Sequence, residues 1–170
     1  MKTSRKLFAA LLVLCLFLSL SCPAFAVSAR YGPTRAFLKV LDRESHKYNY
    51  MGIDEDDREQ VNVTFSGDNL DRIPVEIYFD SELDDVSMRS WRVINFDRSD
   101  LDEILEAVNQ ANCDYKFVKF VVDEEDLSVD AEIDCPLRDD ENAGEIAYDA
   151  LYYIILIIDE AYPSLRVFNK

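Results

Sequence analysis

Histidine and glycine are nearly missing from this chain: one histidine, His46, and four glycines stand among 170 residues. A single imidazole leaves Ser-His-Asp and Cys-His nucleophile systems dependent on that one residue, and there is no Gly-x-Ser-x-Gly elbow. The glycines never fall in Gly-x-Gly-x-x-Gly or Walker spacing, so no loop is built to cradle a phosphate. Cations are also scarce, with 18 Lys and Arg against 34 Asp and Glu and a formal charge of −16. Nucleic acid and anionic lipid both demand clustered cations, which argues against either as a partner.

What the chain has in quantity is acid. Residues 54–57, 123–126 and 139–141 are acidic runs that invite a calcium reading. An EF-hand loop, however, needs alternating ligands with a glycine in the middle, and none of these runs carries that glycine. They read as solvated turns, and no metal or cofactor is expected. Paired carboxylates for glycoside hydrolysis need only meet in space. A divergent carboxylate- or metal-dependent hydrolase is therefore the alternative to a binding role, and it requires a pocket that gathers several acids. Asn62-Val63-Thr64 forms a glycosylation sequon, but inside a strand pattern it reads as coincidence.

Lys2, Arg5 and Lys6 precede an apolar run from Leu7 to Leu20 and then Ala24-Phe25-Ala26, the arrangement of a cleavable export signal. The run is shorter than the roughly 20 residues a membrane-spanning helix needs. Cleavage after Ala26 is expected, with Val27-Ser28-Ala29 as a second site; a lipid anchor at Cys22 fits less well, because its leucine is one place late. Removing residues 1–26 takes away three positive charges and no acid, so the formal charge falls to −19. The product is a secreted or extracytoplasmic protein with no integral membrane span. Its residues suffice for one domain, with 27–33 as a linker and the domain proper spanning 34–170.

Phe37, Leu38, Leu41 and Tyr48 approach helical spacing and predict a first helix ending near His46. Residues 53–59 form a charged loop or hairpin. Val61, Val63 and Phe65 alternate with polar neighbours, as do Ile73, Val75, Ile77 and Phe79 after the turn Ser66-Gly67-Asp68-Asn69; both are half-buried strands. Another strand spans Val86 to Ile94 and holds the only tryptophan, Trp91. Ser99 and Asp102 resemble a capping box before Leu101, Ile104, Leu105 and Val108, with Asn112 as terminator.

Tyr115–Val122 and Leu127–Cys135 read as a hairpin around residues 123–126. Asn142 and Glu145 open a final helix whose interior from Ala150 to Ile158 is apolar on nearly every side, which requires cover all round. Most of it belongs in the core; one stripe, Tyr148, Tyr152 and Leu156, could meet a second copy or another protein. The order favours an α+β fold, namely a helix, an antiparallel meander of three or four strands, a helix, a two-strand hairpin, and a C-terminal helix packed on the sheet.

Of four cysteines, Cys15 and Cys22 leave with the signal. Cys113 and Cys135 remain at opposite ends of the predicted hairpin, where export would permit a disulfide. If facing residues sum to 248, Cys113 opposes Cys135. If they sum to 249, Phe120 packs beside Val129 and Lys119 faces Asp130, which is better patterned but displaces the cysteines by one place. The alternative is two free thiols.

Phe65-Ser-Gly-Asp-Asn-Leu, Ile73-Pro-Val-Glu-Ile-Tyr-Phe-Asp, Trp91, Val108-Asn109 and Tyr115-Lys-Phe-Val-Lys-Phe, with Glu141-Asn-Ala-Gly-Glu-Ile and Ile158-Asp-Glu-Ala-Tyr-Pro, together resemble the bacterial YbjN family. That family is described as sensory-transduction regulators, and the resemblance implies a type III secretion chaperone-like fold. It implies no catalytic residues, and a homodimer or protein partner would suit it. The export signal departs from the cytoplasmic roles of such proteins, which leaves an exported, non-catalytic protein-binding or regulatory domain as the expectation.

Overall fold

Strand β2 (Glu59–Phe65) buries Val61 and Val63, and strand β3 (Ile73–Asp80) buries Ile73, Val75, Ile77 and Phe79. The polar residues between them face the other way, so period-two alternation sends one face of each strand into the core. The computed structural model describes residues 29–82, 84–137 and 142–169, and the expected export signal, with its cleavage site after Ala26 and Cys22, lies outside them, as does the acidic run at 139–141. Along the described chain come α1 (Gly32–Arg43), β1 (Tyr48–Ile53), β2, β3, β4 (Asp85–Asn95), α2 (Leu101–Asp114), β5 (Lys119–Asp123), β6 (Ser128–Pro136) and α3 (Ala143–Leu165). The six strands form one antiparallel sheet in the order β1-β2-β3-β4-β6-β5. The fold is α+β, with a four-strand meander and a hairpin whose second strand docks against β4.

The helices lie on the buried face. Ala147, Leu151, Ile154, Ile158 and Ala161 of α3 are buried, and α1 adds Phe37, whose ring meets Phe79 at 5.4 Å. Each of the larger side chains among these, Leu, Ile or Phe, contributes about 1.5–3 kcal/mol when withdrawn from water. Gly144 allows α1 and α3 to touch: a Cβ there would lie 2.6 Å from the Ala36 carbonyl carbon. No helix among the described residues is long and apolar enough to cross a membrane.

Several boundaries differ from the sequence reading. The first helix begins at Gly32, with Pro33 in its first turn, and ends at Arg43 rather than near His46. Tyr48–Ile53 then forms β1, so residues 53–59 hold the turn of a hairpin. The chain ahead of α1 is packed, since Ala29 is buried. Helix α2 starts after a 3₁₀ turn at Arg98–Asp100, with Asp100 at its N-cap and no side-chain cap, so Ser99 does not act as a capping box. Asn112 does not end that helix, which continues to Asp114; its amide donates to the Phe120 carbonyl at 2.9 Å and accepts the Phe120 N–H at 2.7 Å, taking the place of a neighbouring strand on β5.

The β5–β6 register pairs Phe120 with Ala131 and Lys119 with Glu132, so facing residues sum to 251, not 248 or 249. Asp123 belongs to the strand, and its carboxylate accepts the N–H groups of Glu125 and Asp126, closing the turn one place later than the acidic run implies. The predicted disulfide is not formed. Cys135 sits opposite Val86 of β4, Cys113 is exposed on the last turn of α2, and both are free thiols.

Candidate functional site

Three carboxylates are buried among the described residues, Glu59, Asp130 and Asp159. A buried charge must be compensated by hydrogen bonds, and each of these finds them in irregular backbone. Asp159, on α3, accepts the N–H groups of Asp68, Asn69 and Leu70 at 2.9 Å each. The turn that does this needs Gly67, since a Cβ there would stand 2.0 Å from Asp159 Oδ1. Burial pushes the Asp159 carboxyl up, but these N–H donors outweigh it and hold it below its ordinary value.

Glu59 anchors the start of the domain. Its carboxylate accepts the N–H of Arg30, that of Tyr31 at 3.0 Å, and the Tyr50 hydroxyl at 2.5 Å. Burial raises this carboxyl, and the Thr34 hydroxyl beside it together with those donors brings it below its usual range, although Thr34 Oγ1 makes no well-formed hydrogen bond. Tyr50 is pushed up to about 12 by burial and by Glu59. Asp130 accepts the Arg92 N–H at 2.7 Å where β4 bulges between Ser90 and Ile94, with Arg92 at φ 53°. The sequence signalled none of these anchors.

The acidic turns behave similarly. Asp54 Oδ1 accepts the N–H groups of Asp56 and Arg58, and no group of three or more His, Cys, Asp or Glu among the described residues is arranged to hold a metal. A cavity of about 250 Å³ beside α1 is lined by Arg30, Tyr31, Asp80, Asp84 and Asp85, among others. There, burial and the charges of Asp80 and Asp134 raise the Asp85 carboxyl.

On the sheet face opposite the helices, Trp91 Nε1 and the Tyr78 hydroxyl both donate to Glu76, and Arg89 bridges Glu132 and Asp134. The polar groups of this face are engaged with one another.

The outer face of α3 is different. Tyr148 is half-buried; its hydroxyl lies 2.9 Å from His46 Nε2, and the two rings stack at 5.8 Å. Tyr152 is 58% exposed, and Leu156 lines a groove of about 250 Å³ with Ile155 and the 66–68 turn. Of the predicted stripe, Tyr148 is held within the fold, while Tyr152 and Leu156 border open surface. Two residues outside that stripe extend it. Tyr153, 42% exposed, meets Phe117, 67% exposed, with ring centroids 5.1 Å apart, and Tyr152 meets Tyr153 edge-on at 6.1 Å. Phe117 has φ 74°, a left-handed backbone that costs an L-residue roughly 1–2 kcal/mol. Strain of that kind marks positions the surroundings hold for a reason.

No family model matches the chain, so the YbjN resemblance rests on the residues quoted above. No curated protein matches it. The described fold is similar to a chain of the crystal structure of the ExsC–ExsE complex, at 12% sequence identity and a TM-score of 0.49, over 79% of this chain and 92% of that one. At that distance the likeness concerns chain path and says nothing of ligands.

Proposed function

We propose that the chain is an exported, non-catalytic protein-binding domain, YbjN-like in fold, which takes its partner on the outer face of α3. One observation carries this reading, the contiguous aromatic cluster of Phe117, Tyr153 and Tyr152 left uncovered while α3 buries Leu151, Ile154, Ile157 and Ile158. Exposed aromatic residues in contact with one another supply the large, low-entropy area that binding hot spots use. The buried carboxylates support the same side, because each is engaged by backbone N–H groups, including Asp159, which also lines the groove beside Tyr152. Export rests on the leader pattern of residues 2–26.

The test is site-specific photo-cross-linking from position 152 in the native host. A discrete adduct that disappears when Phe117→Ser and Tyr153→Ser are introduced supports the reading. An adduct indifferent to both substitutions, or none at all, sinks it.

The cavity at Asp80, Asp84 and Asp85 favours a second reading, the carboxylate-dependent hydrolase, since it gathers acids and raises one of them. A hydrolytic activity abolished by Asp85→Asn would establish that reading in place of the first.

A further inference from the structure

The rim of the aromatic cluster tells what it is shaped to receive. Along α3, Asp149 precedes Tyr152 by three residues and Tyr153 by four, and Glu160 follows Tyr153 by seven, so both acids share the cluster's side of the helix. Both are exposed. Asp68 lines the groove that Tyr152 and Leu156 border, and Asp114 stands with Glu160 close enough to Tyr115 to raise its hydroxyl pKa, after burial. Lys116, next to Phe117, is the one cation adjoining the cluster in sequence.

Resting on the binding role proposed above, we infer that this face takes a cationic amphipathic segment of another protein: apolar side chains over Phe117, Tyr153 and Tyr152, and Lys or Arg against Asp68, Asp149 and Glu160. Charge complementarity selects this occupant. A second copy would bring the same acidic rim against itself on a chain of formal charge −16, and like charges facing each other oppose such a contact. Tyrosine suits the role, because its ring offers a face both to apolar carbon and to a cation.

The experiment uses the exported form of the chain and three fluorescent peptides, read by anisotropy. One is a helical peptide with a Leu/Phe face flanked by Lys, the second has the same face flanked by Glu, and the third is a Lys/Gly/Ser peptide without apolar residues. The first should bind at least ten-fold more tightly than either of the others. Adding salt to a few hundred millimolar should weaken it. Asp149→Asn with Glu160→Gln should also weaken it several-fold and flatten the salt dependence, while Phe117→Ser with Tyr153→Ser should lower affinity ten-fold with charge unchanged.

Equal binding of the Glu-flanked peptide, still lost in the Ser variants, overturns the cationic preference and leaves the binding face standing. Equal binding of the Lys/Gly/Ser peptide, or binding untouched by the Ser variants, shows bulk charge attraction alone and overturns the inference. No binding of any peptide, with sedimentation showing a dimer that the Ser variants dissociate, assigns the face to a second copy and overturns it too. No binding and no dimer overturns both the inference and the face. Circular dichroism of each variant separates these outcomes from misfolding.

Discussion

The Asn69 side chain donates at 3.1 Å to the main-chain carbonyl of Asp159, the carbonyl that Pro163 leaves without its helical N–H four residues on. One loop therefore satisfies both the carboxylate and the carbonyl of a single helical residue. The two segments belong to motifs that stand far apart in sequence, Ser66-Gly-Asp-Asn-Leu and Ile158-Asp-Glu-Ala-Tyr-Pro, and their juncture borders the groove beside Tyr152.

Asp159→Ala should cost about 2–4 kcal/mol, because three part-buried N–H groups lose a charged acceptor. In a domain of this size that is a fall of roughly 10 °C in Tm. Asn69→Ala, removing one bond to the carbonyl, should cost about 1 kcal/mol. A thermal melt followed by far-ultraviolet circular dichroism measures both, and a loss below half a degree for Asp159→Ala would show the anchor to be idle.

Acid should destabilise the fold through the same groups. Glu59 and Asp159 lie below their ordinary values of 4.5 and 3.8 in the folded state. Their contribution is complete above those values and is lost as pH falls through the lower folded ones. Denaturant midpoints measured between pH 6 and pH 2 should decline below about pH 4.5, and Glu59→Gln with Asp159→Asn should flatten that decline.

Asp85 runs the other way. Its carboxyl is raised by burial and by Asp80 and Asp134, so its charge opposes folding near neutrality. Asp85→Asn should stabilise the domain by up to about 1 kcal/mol at pH 7, with a smaller gain at pH 4 where the native acid is partly protonated. Equal midpoints for variant and parent at pH 7 would contradict it.

Compared with a chain that begins at Val27, one shortened through Tyr31 loses two N–H donors to the buried Glu59 carboxylate. The longer truncation should cost roughly 2–4 kcal/mol. Chemical denaturation of the two truncated proteins compares them directly.

Cys113 and Cys135 should both react with a thiol reagent in the absence of reductant, Cys113 faster than Cys135. Cys113 is exposed, whereas burial pushes the Cys135 thiol up and thins its reactive thiolate. A single slow phase, or a mass gain of two protons on reduction, would contradict the free-thiol assignment.

The strands β2 and β3 were readable because unbroken alternation has one structural solution. β1 was not: Tyr48 and Tyr50 turn toward the core, but a bulge between Tyr50 and Gly52, with Gly52 at φ 93°, breaks the period. The hairpin register escaped because Asp123 reads as a loop residue by type, while its carboxylate acts from inside the strand. The carboxylate anchors were hidden for a deeper reason. Asp159 and Asn69 are 90 positions apart, and an acid's neighbours along the chain do not reveal which distant N–H groups will surround it. On α3 the apolar interior showed that most of the helix is core. It could not show that Phe117, from another segment, would extend the open side through Tyr153.

Asn112 has a consequence for assembly. With its amide seated on the outward N–H and carbonyl of Phe120, a neighbouring strand cannot lie along β5 without evicting it. Edge-to-edge growth on that side of the sheet would have to displace the amide first, so the cap works against strand addition along β5.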